Sequence, residues 1–424
     1  MSATRPAPAR LAPDTAPRLF AIPPDPTLAG HLDRFGPAPR HPLDLIAEVE
    51  RSGLRGKGGA GFPTAVKLAA VARRGHAIVV ANGTEGEPAS LKDKTLLAAA
   101  PHLVLDGAVL AAEAVGAREV VLCVERSAVA PHALDLALRE RRAAGCDRIP
   151  IRLATTPNRY LAGEESALVH WLNGGEAKPT FTPPRPFERG VSGRPTLVDN
   201  VETLAHLALI ARFGAEWFRT LGTAADPGTT LVTLSGAVGR PGVYEVPLGI
   251  PLGSVLSAAG ATLADLRAVL VGGYFGTWIP GGDAGEVTLS VEGLGRAGAS
   301  LGCGVLAALP RGVCGLAESA RVARWLAAQS TGQCGPCVNG LDAIARAMAV
   351  LVGGDVDGRA EWQLRRWLDM VRGRGACHHP DGAARFVESS VRVFADEIAL
   401  HRHRGPCPDG TYPLLPVPAP GGWR

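Results

Sequence analysis

The sequence lacks both a long uncharged apolar run and an apolar leader. The longest apolar candidate, Leu103 to Val124, carries Asp106, Glu113, Arg118 and Glu119, which argues against a membrane span. The first 18 residues contain proline and alanine but no apolar signal core. We therefore expect a cytoplasmic protein with no direct membrane span, at most peripheral to a membrane complex.

A strong charge imbalance and a dense set of cysteines are missing too. The 44 basic residues nearly balance the 40 acidic ones, and the formal net charge is +4. This balance gives no electrostatic reason to expect a nucleic-acid partner. Eight cysteines among 424 residues do not make a disulfide scaffold. In a reducing compartment, their spacing indicates metal ligation first.

Glycine and apolar residues are abundant. The length and a hydrophobic fraction of 46% predict a globular chain of two or three domains. The 53 glycines cluster in a few loops, which favours loops in close backbone contact with a ligand.

Strand and helix patterns alternate through the first half of the chain, which predicts an α/β core. The predicted strands cover residues 77–80, 119–124 and 149–154, and the predicted helices cover 41–52, 63–74, 101–115 and 128–144. Residues 1–42 are rich in proline and alanine and are predicted to form a loosely held arm.

The pattern changes near residue 228. A predicted hairpin around Pro241-Gly242, a helix at 252–258 and a strand at 268–272 indicate a small α+β module. From Ser319 to about Leu400 the pattern is helical, which predicts a C-terminal helical bundle. The predicted division is an arm at 1–42, an α/β domain at 43–227, the α+β module at 228–283, a connecting segment and bundle at 284–404, and a tail at 405–424.

A glycine-rich loop, Gly56 to Gly61, formally matches G-x-G-x-x-G. A predicted helix precedes it where a Rossmann motif has a strand, and no Gly-Lys-Ser/Thr is present for a P-loop. Its backbone N–H groups, with Arg55, Lys57 and Lys67, nevertheless favour a phosphate site. The alternative is a surface loop with incidental basic residues.

Acidic residues follow two of the predicted strands. Asn82 to Pro88 contains Glu85 and Glu87, and Glu164-Glu165 precedes a predicted helix. Ligands of open α/β sheets bind beyond the carboxyl ends of strands, where carboxylates can accept bonds from ribose hydroxyls or a carboxamide. For the Glu164 pair the alternative is a solvated helix start favoured by the helix dipole.

Four sequence blocks occur in one order: Ser52 to Thr64 with Lys67, Asn82 to Asp93, Tyr160 to Leu168, and Gly193 to Thr203. In order and spacing they resemble the NADH-binding FMN flavoprotein subunit of respiratory complex I. NAD-reducing hydrogenases and NAD-dependent formate dehydrogenases share this family. The resemblance covers residues 43 to 400, nearly the whole chain.

The resemblance implies a flavin-dependent NADH dehydrogenase. Hydride passes from NADH to FMN, and single electrons leave through a [4Fe–4S] cluster in the helical bundle to a ferredoxin-like or complex I-type partner. It also implies that the hairpin module is β-grasp-like. The implied FMN and NADH residues are Arg55, Gly56, Lys57, Gly58, Gly59, Gly61, Phe62, Lys67, Asn82, Tyr160, Gly163, Glu164, Glu165, Asp199, Asn200 and Thr203. Glu85, Glu87 and Glu165 are implied near the nucleotide.

The sequence departs from the family mainly on the nucleotide side. Thr182 and Arg185 replace a family Lys and Phe, Ala70 replaces an aromatic, and Thr84 replaces an Asp. These changes favour an alternative function, an electron-transfer flavoprotein that does not use NADH. A non-enzymatic alternative is a ligand-binding protein built around the hairpin module.

The family's Cys-x-x-Cys-x-x-Cys motif is incomplete, because Thr331 holds its first position before Cys334 and Cys337. Cys377 matches the distant fourth ligand. A cubane prefers four ligands, so we predict a cluster on these three cysteines with His378 or His379 in the fourth place and Thr331 behind them. The other candidates are Cys303 and Cys407. The alternative is a lost cluster, with Cys334 and Cys337 as free thiols, a redox pair or half of a zinc site.

The remaining cysteines and the late histidines are expected to be structural. Cys123 lies in an apolar strand and is predicted to be buried, and Cys146 and Cys314 are interpreted as structural. His401 and His403 are expected to be solvated.

Overall fold

The first half of the chain forms a four-stranded parallel sheet with strand order β3-β2-β1-β4. The computed structural model describes residues 18–20, 23–40, 44–126, 130–407, 413–419 and 421–422. The strands are β1 Ile78–Gly83, β2 Val120–Glu125, β3 Ile151–Thr156 and β4 Thr196–Asn200. Asn82 pairs with Asn200 in the register of β1 and β4, so both lie at the carboxyl edge of the sheet.

Helices cover both faces of this sheet. They are α1 Leu28–Phe35, α2 Leu45–Ser52, α3 Thr64–Ala72, α4 Lys92–Ala99, α5 Pro101–Ala114, α6 Ala130–Ala144, α7 Glu165–Leu172 and α8 Val201–Arg219. Val79 and Leu122 pack in the core formed with α5 and α8, whereas Val80 and Val121 pack on the opposite face with α7. This division follows from the alternation of side chains along a strand, and burial on both faces explains the near-continuous apolar strands.

The closest helix contact in this half depends on one glycine. A Cβ on Gly107 of α5 would lie 1.8 Å from the carbonyl oxygen of Leu204 in α8. Only a residue without a side chain allows the two backbones to approach this closely.

The second sheet has five strands in the order β6-β5-β9-β7-β8. Its elements are β5 Thr229–Gly236, β6 Gly242–Pro247, α9 Leu252–Ala258, β7 Leu266–Val271, β8 Thr277–Pro280, α10 Val291–Arg296 and β9 Val305–Pro310. Strands β5 and β6 form the predicted antiparallel hairpin, and β9 lies parallel to β5 between it and β7.

The last third is helical, as the sequence predicts. It contains α11 Gly315–Ala328, a π-helical turn at Pro336–Gly340, α12 Leu341–Gly353, α13 Arg359–Val371, α14 His379–Val393 and α15 Ala395–Arg404. The predicted α/β class with a parallel sheet and a helical C-terminal region is confirmed. Within the described residues, the stretch Pro336–Gly353 is long and apolar enough to cross a membrane. Half of that stretch is buried inside the protein.

The expectation of a loosely held arm is wrong for its described part. Leu19 and Phe20 are fully buried, and Arg18 donates a 2.9 Å hydrogen bond to the Phe218 carbonyl. The ring of His31 in α1 lies 2.9 Å from buried Asp106. Proline content suggested a loose segment, but these apolar and charged anchors hold it to the core. Residues 1–17 lie outside the described part of the chain.

Candidate functional site

The loops that follow β1 and β3 meet the start of α8, which directly follows β4, at the carboxyl edge of the parallel sheet. The Asn82 side chain donates a 2.8 Å hydrogen bond to the Gly163 carbonyl. The backbone N–H of Lys57 donates a 2.8 Å bond to the Thr203 hydroxyl. The glycine loop, the two strand-end loops and the start of α8 therefore share one edge, where open α/β sheets bind ligands.

The glycine loop closes on itself and leaves one side open. Gly56 N–H donates a 2.8 Å bond to the Phe62 carbonyl. Gly59 and Gly61 adopt φ values of +114° and +62°, which other residues rarely adopt. A Cβ on Gly58 would lie 3.3 Å from Asn200 Cβ, whereas one on Gly61 would meet nothing within 4 Å. The loop is thus packed on Asn200 and open at Gly61.

The three basic side chains assigned to this loop lie in different surroundings. Lys67 Nζ donates a 3.0 Å bond to the Val198 carbonyl and lies 3.9 Å from Glu165. The exposed Arg55 donates a 3.1 Å bond to the Gly61 carbonyl. Lys57 is buried, and burial lowers the pKa of its ammonium group while Glu202 opposes that shift. The Lys57 ammonium group therefore lies inside the protein, and its backbone N–H is bonded to Thr203.

Beneath the loop lies a buried ion network that the sequence reasoning left unassigned. Lys92 Nζ lies 2.7 Å from Asp93 and 2.9 Å from Glu202. Asn200 donates a 2.7 Å bond to Asp93, and its side-chain oxygen accepts the N–H of Glu202 at 2.9 Å, which caps α8. Burial raises the pKa of Glu202, but Lys92, His206 and Lys57 together outweigh it and hold that pKa well below its usual range. In the sequence, the adjacent Lys92 and Asp93 inside the Asn82 to Asp93 block were the feature that indicated this ion network.

Two polar atoms beside the loop are buried and have no hydrogen-bond partner among the described residues: Asp199 Oδ2 and Thr64 Oγ1. The other Asp199 oxygen accepts the N–H of Asn200 at 3.1 Å. Burial raises the pKa of Asp199 to about 6. A buried unpaired polar group is costly in a native protein. Together with the open glycine loop, these atoms fit the hydroxyl groups and phosphate of a flavin nucleotide.

The two acids of the first loop have different roles. Glu85 accepts the N–H groups of Asp93 and Lys94 at 3.2 and 3.1 Å, so it satisfies the first turn of α4. Glu87 accepts the Tyr274 N–H at 2.8 Å and the Tyr160 hydroxyl at 3.2 Å. Burial raises the pKa of Glu87 to about 7.

The two residues of the second acidic pair, Glu164 and Glu165, also have different roles. Glu164 accepts the N–H groups of Ser166 and Ala167, both at 3.0 Å, so the helix-start alternative describes it well. Glu165 is half-buried, and burial raises its pKa while Lys67 opposes the shift. The Arg185 guanidinium acts on the same carboxylate as a smaller opposing charge.

Two aromatic side chains on these segments remain exposed. Phe62 follows the glycine loop and is 47% exposed, and Phe181, beside Thr182, is 80% exposed. Tyr160 instead packs edge-on against Phe275 and Trp325, with ring centres 4.9 and 5.2 Å apart.

The three candidate cluster cysteines come together in the helical region. Cys337 lies buried in the π-helical turn, with the Thr331 hydroxyl 4.0 Å from its sulfur. Burial raises the pKa of Cys377 to about 11, and the nearby Cys337 and Cys334 sulfurs add to this shift. Segments 40 residues apart in sequence thus present three thiols to one region.

The two histidines after Cys377 face different surroundings. His378 is exposed and precedes α14. His379 is buried, with its Nε2 2.9 Å from the Leu326 carbonyl, and its ring lies 6.0 and 5.6 Å from Tyr160 and Phe275. Burial lowers the pKa of His379 to about 4. His379 therefore packs among these aromatic side chains.

The other cysteines and His401 are buried or half-buried. Cys123 is buried as predicted, and burial raises its pKa to about 12. Cys303 donates a 3.2 Å bond to the Gly272 carbonyl. The expectation that His401 is solvated is wrong: it is 1% exposed, and Cys407 lies 2.9 Å from its Nε2. Helical packing, which sequence spacing does not reveal, brings these residues inside.

Comparisons with known proteins agree with this arrangement. The Nuo51 FMN-binding domain matches residues 49–209, the SLBB domain matches 231–271, and the NADH-ubiquinone oxidoreductase-F iron–sulfur binding region matches 317–401. The chain thus has the domains of a flavin and iron–sulfur protein of this oxidoreductase class.

The relatives define the family. The F subunit of NADH-quinone oxidoreductase from Mycobacterium bovis is 35% identical over 398 residues, 87% of this chain and 86% of the relative. Its counterpart from Streptomyces coelicolor is 34% identical over 87% of this chain and 85% of its own. The crystal structure of an air-oxidized NAD+-reducing [NiFe]-hydrogenase has a TM-score of 0.80 and 30% identity, over 99% of this chain and 70% of that one. This chain belongs to the family of NADH-quinone oxidoreductase F subunits.

Proposed function

We propose that this chain is the NADH-oxidising flavoprotein subunit of a larger oxidoreductase. The observation that carries the proposal is the carboxyl edge of the parallel sheet, where the open glycine loop lies beside the unpaired Asp199 and Thr64 oxygens. When bound, FMN accepts a hydride from NADH and releases single electrons, which an iron–sulfur cluster carries to the partner. The family relationship supports both cofactors.

The glycine loop and strand ends would hold FMN. Backbone N–H groups of the loop would cradle its phosphate, and Lys67 would add a positive charge above β4. Asp199 Oδ2 and the Thr64 hydroxyl would accept and donate bonds to the ribityl chain. Asn82, Asn200 and Thr203 fix these loops through their own hydrogen bonds.

NADH would enter on the side of the exposed aromatics. Phe62 and Phe181 offer faces for stacking an adenine or nicotinamide ring. Glu165 places a half-buried carboxylate near Lys67, where a ribose hydroxyl can donate to it, and Glu87 would support the nucleotide side from below through Tyr160. Carboxylates there disfavour the additional phosphate of NADPH.

Cys334, Cys337 and Cys377 would hold a [4Fe–4S] cluster, with His378 in the fourth place and Thr331 as its rival. His378 is exposed next to Cys377, and Thr331 Oγ1 lies 4.0 Å from Cys337 Sγ. A neutral imidazole in place of a thiolate would raise the reduction potential. His379 is the weaker candidate because its Nε2 is already bonded to Leu326.

We propose the domain division at 43–227, 228–283 and 284–404, with a β-grasp-like second module. The first sheet and the hairpin lie in the first two segments, and the helical region lies in the third. Because β9, at Val305–Pro310, is the central strand of the second sheet, the second module extends beyond residue 283 to Pro310. The electron acceptor would be a ferredoxin-like protein or another subunit of a complex I-type assembly, in the cytoplasm or peripheral to a membrane.

The second candidate function is electron transfer through FMN without NADH. Glu85 is already occupied as a helix cap, and Thr84 bonds to Asn82 where the family has an acid. Both features leave fewer free carboxylates for a nucleotide. Steady-state NADH oxidation with an artificial acceptor separates the candidates, because only the first predicts turnover. A colourless protein purified anaerobically would instead favour a ligand-binding module.

A further inference from the structure

A group of potential metal ligands lies near the end of the helical region, in residues not assigned to the cluster. The sulfurs of Cys314 and Cys407 and Nε2 of His401 all lie within 4.8 Å of one another. Cys314 and His401 are buried and Cys407 is half-buried. With Glu397 they form what we name the C-terminal ligand group.

The fold brings the group together from two distant segments. Cys314 precedes α11, where its sulfur accepts the Ala317 N–H at 3.4 Å. Glu397 and His401 lie one turn apart on α15, and residues four apart share a helix face. The helix ends at Gly405, whose φ of +76° turns the chain. The Cys407 sulfur then lies 2.9 Å from His401 Nε2.

Glu397 lies beside Cys314, although its carboxylate does not belong to the group of atoms that are all within 4.8 Å of one another. Its Oε2 lies 3.3 Å from the Cys314 sulfur and accepts the Leu316 N–H at 2.8 Å. Its Oε1 lies 3.3 Å from Arg267 Nε. A carboxylate oxygen has two lone pairs, so Oε2 can keep the Leu316 bond and still bind a cation.

The spacing between His401 and Cys314 matches that of a tetrahedral zinc site, and the spacing between His401 and Cys407 is shorter. With Zn–S near 2.3 Å and Zn–N near 2.0 Å, ligand sulfur and nitrogen atoms are about 3.5 Å apart. His401 Nε2 lies 2.9 Å from Cys407 and 3.6 Å from Cys314. The second ring nitrogen, Nδ1, is buried without a partner in the described chain, so Nε2 is the atom directed at the group.

We propose that Cys314, His401 and Cys407 bind one Zn²⁺ ion, separate from the iron–sulfur site, with Glu397 or a water molecule in the fourth place. Two thiolates and an imidazole are ligands that zinc favours. The ion joins the start of α11 to the end of α15 and fixes the chain where the tail begins.

The segment after Cys407 connects this metal site to other parts of the protein. Leu414 N–H donates a 3.0 Å bond to Glu318 in α11, and the Tyr274 hydroxyl donates to the Pro416 carbonyl. The N–H of Tyr274 also bonds Glu87. A metal at Cys407 therefore fixes the start of a segment that supports the residues around Glu87.

The test is zinc, iron and FMN analysis of the full chain, purified anaerobically with its cofactors and dialysed against a mild chelator. We expect about one zinc per chain besides the iron. Cys407→Ser and His401→Ala should each lose zinc at least roughly tenfold and keep iron and FMN. Cys337→Ser should lose iron and keep zinc. Cys146→Ser, which changes another half-buried thiol, should keep both metals.

Zinc X-ray absorption on the unmutated protein keeps the test valid if a variant fails to fold. The proposal requires two sulfur ligands at about 2.3 Å and two nitrogen or oxygen ligands near 2.0 Å. Three or four sulfurs would place zinc at the Cys334 region and overturn it. Absence of stoichiometric zinc, zinc retained in both ligand variants, or a disulfide peptide joining Cys314 and Cys407 would also overturn it.

Discussion

The Tyr160 hydroxyl donates a 3.2 Å hydrogen bond to Oε2 of Glu87, joining the loop after β3 to the loop after β1. The same oxygen accepts the Tyr274 N–H at 2.8 Å, from the loop after β7. One buried carboxylate therefore connects both sheets of the protein. Its position explains why burial raises the pKa of Glu87 to about 7 despite three hydrogen bonds.

Glu87→Gln should change how stability depends on pH. Because the folded pKa of Glu87 lies above its unfolded value near 4.5, the neutral acid is favoured by folding. That contribution is complete below pH 4.5 and is lost as the pH rises through 7. By pH 8 we expect the wild type to have lost up to about 3 kcal/mol relative to the variant.

Urea unfolding at pH 4.5, 6 and 8 measures this difference. Glu292→Gln removes an exposed carboxylate and is the control, expected to follow the wild-type pH profile. Parallel profiles of Glu87→Gln and wild type between pH 5 and 8 would contradict the raised pKa.

Gly58→Ala should weaken FMN binding. The new Cβ would lie 3.3 Å from Asn200 Cβ, so the loop must move away from the strand that carries Asp199 and Asn200. We expect roughly a tenfold rise in the FMN dissociation constant, measured by flavin fluorescence titration. Gly282→Ala is the matched control because its Cβ would meet nothing within 4 Å. Unchanged FMN affinity in Gly58→Ala would refute the loop assignment.

The enzyme should prefer NADH over NADPH, and Glu165→Gln should narrow the preference. Glu165 is half-buried near Lys67, and its negative charge would repel a 2′-phosphate. We expect at least roughly tenfold higher kcat/KM for NADH in the wild type and a smaller ratio in the variant. Glu216→Gln removes an exposed carboxylate on α8 and should leave the ratio unchanged. Comparable kcat/KM for both nucleotides in the wild type would exclude this role.

His378→Ala should change the iron–sulfur site while His403→Ala should not. His378 follows the ligand candidate Cys377, whereas His403 is an exposed histidine of α15. We expect His378→Ala to lose iron or to show an altered EPR spectrum when reduced, because a cubane loses its fourth ligand. Full iron and a wild-type spectrum would exclude His378. In that case Thr331→Cys would test Thr331 as the fourth ligand, because an added thiolate should lower the reduction potential of the cluster.

The sequence alone predicted the elements whose signals are local. Strands near residues 78–83, 120–125 and 151–156 follow from short apolar runs, and the loops after β1 and β3 follow from glycine and acidic residues. Strands β4, β8 and β9 were missed, because none has a pattern distinct from its surroundings. The π-helical turn at Pro336–Gly340 was not predicted, since its apolar spacing continues into α12.

The sequence by itself determined the class of fold and the residues available at the sheet edge, because periodicity and block order are properties of the chain. Only the tertiary structure decided how those residues are used. It buries Lys57 beside Glu202, turns Glu85 and Glu164 into helix caps, and leaves Asp199 Oδ2 unpaired among the described residues. It also brings Cys314 next to His401, 87 residues later in the chain. Such contacts depend on packing between distant segments, which no local spacing encodes.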